Sequence, residues 1–183
     1  MTLIGSLDLL NLTVAAIAAA NTDADGRVFK PGDWPTQPDQ YPIVKGRLLF
    51  EDRQSIARST APEFITNATV RLIAEVSEPV LLDNAGATMA EASLWRLKKQ
   101  IDVAVINSSP LMQSIQNIPT IRAELAFNSE GATHLAGVQI DITYEFYEGP
   151  ESFAPTPTAD LEEVHATIPS LPPLGIVVED LQA

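Results

Sequence analysis

The sequence has no cysteine, only two histidines (His134 and His165), and no Lys or Arg beyond Arg122. Without cysteine there are no disulfides and no thiolate chemistry, and the redox compartment leaves no trace in the composition. Neither histidine has a second His or a Cys at metal-ligand spacing, so both read as solvent-exposed loop residues. The missing cations matter more. All 11 Lys and Arg lie at or before Arg122; 13 of the 24 acids precede position 123, leaving a net −2 there, and the other 11 follow it uncompensated. A chain with net charge −13 arranged in this way repels phosphate backbones, which argues against sequence-independent nucleic-acid binding.

Catalytic motifs are also missing. There is no G-x-S-x-G, no G-x-x-x-x-G-K-[ST] and no G-x-G-x-x-G. Asp141 and Glu145 share one side of an extended segment, but a Ca²⁺ site needs several further oxygens converging from a tight loop, so a solvated strand face is the expectation. Glu162-Glu163 and Glu179-Asp180 read as solubilising charge, and no pair of carboxyls can be set across a glycosidase-like cleft. Trp34, between Pro31 and Pro35, suits either stacking on a sugar or partner or capping the core. No catalytic residue, cofactor or metal is expected.

Long apolar runs are few. The opening MTLIGSLDLLNLTVAAIAAAN has no Lys or Arg ahead of its apolar part and is broken by Asp8 and Asn11, which fits neither a signal peptide nor a span of about 20 apolar residues. Leu3, Leu7, Leu10, Val14 and Ile17 step by four and three, which predicts a helix buried along that stripe.

What is present is alternation. In GVQIDITYEFYEGPE, Val138, Ile140, Ile142, Tyr144 and Phe146 fall on one side of a strand, and Gln139, Asp141, Thr143 and Glu145 on the other. PIVKGRLLF predicts another strand, with Val44, Gly46, Leu48 and Phe50 inward and Lys45 and Arg47 outward. EDRQSIARSTAPEF reads as a polar connection. ITNATVRLIAEVSEP and IPTIRAELAFN alternate in the same way, and Leu94, Leu97, Ile101 and Val105 mark a second helix over about 84–107. SSPLMQSIQNIP is a short connection with one helical turn after Pro110.

The order helix, strand, strand, helix, strand, strand predicts an α+β fold. It is a two-layer sandwich, with a four-stranded mostly antiparallel sheet and two helices on one face. The other face stays uncovered, carrying Lys45, Arg47, Arg71, Glu75, Arg122, Glu124, Asp141 and Glu145 in compensating signs. This domain occupies residues 1–150. Residues 151–183 form an acidic, Pro-rich extended arm, with Ile176, Val177 and Val178 as its expected anchor.

Those elements, with QYPIVKGRLLFED, MAEASLWRLKKQIDVAVINS and the closing IPTIRAELAFNSEGATHLAGVQIDITYEFYEGPE, resemble the tail terminator (tail completion, or minor tail) proteins of long-tailed bacteriophages over about Leu3 to Pro150. The arm lies outside the resemblance. It implies a structural virion protein forming a ring, typically a hexamer. Such a ring caps the tail tube, ends its elongation and joins tail to head connector, so the implied partners are further copies, the tube protein and the connector. DNA passes through without specific binding. On this reading the loop Glu51 to Pro62, with Arg53 and Arg58, reaches a neighbouring subunit. Lys45 and Arg47 join that interface, and Asp141 and Glu145 face the channel. The alternatives are another head–tail joining or tube protein, a monomeric ligand-binding module using Trp34, or a hydrolase whose carboxylates cannot be located.

Overall fold

The computed structural model describes residues 5–30, 38–56, 61–79, 85–128 and 133–154. Helix α1 (Ser6–Ala19) leads through a two-residue strand β1 (Val28–Phe29) into the long strands β2 (Ile43–Ser55) and β3 (Phe64–Pro79). Helix α2 (Ala85–Ile106) and the single turn α3 (Ser109–Met112) follow, then β4 (Asn117–Asn128) and β5 (Thr133–Glu148). Short 3₁₀ turns occupy Pro38–Gln40 and Pro150–Phe153. The sheet order is β1-β2-β3-β5-β4. Two antiparallel hairpins, β2-β3 and β4-β5, join through an antiparallel β3-β5 pair at the centre, and only β1 runs parallel to its neighbour.

Alternation along the central strands builds the core. Ala68, Val70, Leu72, Ala74 and Val76 of β3 and Ala136, Val138, Ile140, Ile142, Tyr144 and Phe146 of β5 are all buried on one side. The α2 stripe Leu94, Leu97, Ile101 and Val105 is buried against them as its spacing predicts. Gly46 in β2 lets α1 approach closely: a Cβ there would stand 3.1 Å from Val14 and from Leu72.

Several expectations need correction. The sheet has five strands, because Val28–Phe29 pairs with Val44 and Lys45, and α3 makes a third helix. Two residues inside an Asp- and Gly-rich stretch carry too little alternation to announce a strand. On α1 the buried set is Ser6, Leu9, Leu10, Thr13 and Ile17, whereas Leu7 is exposed. Thr13 tolerates burial because its hydroxyl donates to the Leu9 carbonyl at 2.7 Å and is hydrogen-bonded with the Tyr144 hydroxyl at 2.8 Å.

The largest difference lies in β2. The strand continues to Ser55, so Glu51–Ser55 belong to the sheet and not to a polar connection. The register shifts between Leu48 and Phe50, so that Leu48 opposes Val70 but Phe50 opposes Thr69 and Glu51 opposes Ala68. One added residue in one strand reverses the side of everything beyond it. Phe50, expected in the core, is therefore 55% exposed.

Candidate functional site

The polar face of the sheet is uncovered among the described residues, and two of its ion pairs bridge neighbouring strands. Arg71 on β3 and Asp141 on β5 are register partners. Arg71 Nε donates to Asp141 Oδ1 and its Nη2 to Oδ2, both at 2.7 Å. This forked bond is the stronger geometry of an Arg–carboxylate pair. It holds the Asp141 carboxyl below its ordinary value, with the Arg71 hydrogen bonds as the leading cause, and it raises the Arg71 guanidinium. Lys45 and Glu75 pair at 2.9 Å, and Arg122 pairs with Glu124 on the same strand. Thr69 and Thr143 hydroxyls meet at 2.9 Å beside this charged band.

Each predicted site residue can now be placed. Lys45, Asp141 and Glu145 are half-buried on the open face, and Arg47 is exposed there, opposite Arg71. Arg58, Trp34 and His165 lie outside the described residues, as do residues 155–183 of the arm. Arg53 is not on a free loop. The β2 bulge turns it to the helical side, where its Nε donates to Glu148 Oε2 at 2.7 Å and its Nη2 reaches Glu51 at 2.8 Å.

Glu148 is a residue that sequence reasoning missed. It is buried, and it accepts from Arg53 and from the Thr66 hydroxyl at 2.5 Å. Burial pushes its carboxyl up, but the Arg53 and Thr66 hydrogen bonds outweigh this, and the net shift is downward. Glu51 in turn accepts from the Ser6 hydroxyl at the start of α1. The signal was available: the inward alternation of β5 runs on past Phe146 to Glu148, so a carboxylate occupies a core-facing position. This cluster ties β2, β3, β5 and α1 together at one end of the sheet.

The helical side carries a different surface. Trp95, Val103 and Ile106 on α2 are exposed, as are Ile121 and Leu125 on the helix-facing side of edge strand β4. An open groove of about 570 Å³ runs between α1 and the α2–α3 junction, lined by Leu12, Ala15, Ala16, Ala19, Val103 and Pro110. Among the described residues no group of three or more His, Asp or Glu could hold a metal ion, and no helix is long and apolar enough to cross a membrane.

These features define a mixed α+β domain with an open, charge-paired sheet face. No protein-family model matches the chain, and no curated protein matches it. Among solved structures, a chain of a particle described as "Virion of native gene transfer agent (GTA) particle" is similar over 76% of this chain and 91% of that one. The sequence identity is 14% and the TM-score 0.30, a level at which the likeness carries no functional argument.

Proposed function

We propose that this protein is a non-catalytic structural subunit of a phage-like virion, and specifically a tail terminator. On this reading copies of the chain close into a ring, hexameric by the resemblance, that caps the tail tube and meets the head connector.

One observation carries the reading. The subunit presents two unlike uncovered surfaces: a charge-paired sheet face, and an apolar helical side with Trp95, Val103 and Ile106. A closed ring needs such a pair, because a patch on each subunit meets a different patch on the next. The residue pattern of the β4-β5 hairpin, which resembles the terminators, supports that ring over other assemblies.

The test is the length of tails on particles assembled without this protein. A terminator's loss gives overlong tails by electron microscopy, and tails of ordinary length joined to heads would refute the role.

A further inference from the structure

One row across the open face holds Arg47, Arg71, Asp141 and Arg122 on four successive strands. At about 4.8 Å per strand the row is roughly 14 Å wide. Three guanidinium groups share it with one carboxylate, and that carboxylate is taken by Arg71. Arg47 stands directly opposite Arg71 and makes no ion pair with another described residue. At the other end, Arg122 has its side chain 70% exposed, pairs along its own strand with Glu124, and lies opposite Asp141, whose carboxyl its charge helps to lower. Like charges set opposite on a sheet destabilise it. With Asp141 and Glu124 counted, the row keeps one guanidinium more than it has carboxylates, that of Arg47, and in a chain of net charge −13 this is a local cation that an added carboxylate would relieve.

The same chain holds acids without cations. Residues 155–183 include Asp160, Glu162, Glu163, Glu179 and Asp180, and no Lys or Arg. The described chain ends at Ala154, just after the Phe153 ring packs edge-on against Phe64 at 5.4 Å, near Arg53. Phe64 precedes Thr66 on the helix-facing side of β3, so the chain departs from the side of its own sheet opposite the arginine row. Asp160 to Glu163 follow Ala154 by six to nine residues, a length of chain that spans at most about 20–30 Å.

We propose that the row Arg47–Arg71–Arg122 is the docking site for the acidic segment Asp160 to Glu163 of a second copy of this chain. The proposal rests on self-assembly, and it names the contact that joins one subunit's departing arm to the next subunit's open face. Pairing of the arm with the row hides the guanidinium groups from any polyanion passing the ring.

The absence of native cysteine allows a direct test. Full-length protein carrying Phe50→Cys, on the open face, is mixed with full-length protein carrying Val164→Cys, and disulfide formation is followed alongside mass by light scattering. The expected result is a disulfide between the two chains. Adding Arg47→Gln and Arg122→Gln to the first partner should slow it by about three- to tenfold, the worth of two exposed ion pairs, with similar slowing at high salt. An oligomer without that disulfide, or one indifferent to both arginines, overturns the arm contact and leaves the ring standing. A single-subunit mass both alone and with purified tail tubes, with none retained on the tubes, overturns both. An intrachain disulfide in the Phe50→Cys, Val164→Cys double variant, with none between chains, overturns the second copy as occupant. Duplex DNA retention abolished by Arg47→Gln and Arg122→Gln, with cross-linking unchanged, assigns the row to nucleic acid and overturns the proposal.

Discussion

Arg71 and Asp141 face each other across the central strand pair and share two hydrogen bonds of 2.7 Å in a forked geometry. The pair lies on the uncovered side of the sheet, yet each side chain is only 20% exposed. It therefore keeps more of its Coulomb attraction than a fully solvated surface pair would.

A pH dependence follows. The Asp141 and Glu148 carboxyls are both held below their ordinary values of 3.8 and 4.5. A depressed carboxyl contributes stability that is present above its unfolded pKa and is lost as pH falls through its folded one. Acid unfolding should steepen below about pH 4. In Arg71→Gln the Asp141 carboxyl should titrate higher by NMR, and the steepening should shrink. An unmoved Asp141 titration would contradict the assignment.

Tyr144 gives the opposite sign. Burial pushes its phenol up to about 12, and the Thr13 hydrogen bond lowers it only in part. Stability from the buried neutral phenol is complete below its ordinary value of 10.0 and is lost as pH rises through the folded value. Ultraviolet titration of the folded protein should show a tyrosine lagging toward pH 12 that disappears in Tyr144→Phe. That variant should cost about 1 kcal/mol in denaturant unfolding through loss of the Thr13 bond.

Packing between layers depends on two positions. Leu97 is fully buried under the sheet, and Leu97→Ala should cost about 2–5 kcal/mol. Gly46→Val should lower the melting temperature for the opposite reason, since side-chain atoms of Val14 and Leu72 already stand 3.1 Å from where even a Cβ would lie. Equal melting temperatures for wild type and Gly46→Val would mean that α1 does not pack as described.

How much of this was legible in the sequence differs by element. β3, β5 and α2 announced themselves because each buries one full periodic stripe. β2 was found as far as Phe50 but not beyond, because one bulge at Leu49 reverses its alternation and sends Phe50 outward and Arg53 inward. α1 was found from its apolar stripe but turned slightly, since Thr13 is buried by hydrogen bonding and not by hydrophobicity. The open face was read correctly as mixed in sign, yet which cation takes which acid depends on register, and alternation leaves register free. Glu148 escaped notice because a glutamate after a Phe-Tyr pair reads as a strand end.

For the channel reading, the geometry separates two carboxylates that the sequence treated alike. Asp141 is neutralised by Arg71, whereas Glu145 is half-buried on the same face, opposite Asn67. If the face lines a DNA passage, Glu145→Lys should slow DNA ejection from assembled particles while leaving the melting temperature nearly unchanged. Unchanged ejection kinetics would place Glu145 away from the passage.

The central claim is that this subunit closes upon copies of itself. It is tested most directly by light scattering of the full-length protein, alone and with purified tail tubes. The account predicts a discrete species several times 19.7 kDa, six subunits by the resemblance, in solution or on the tube end. A single-subunit mass under both conditions, with none retained on the tubes, would contradict it.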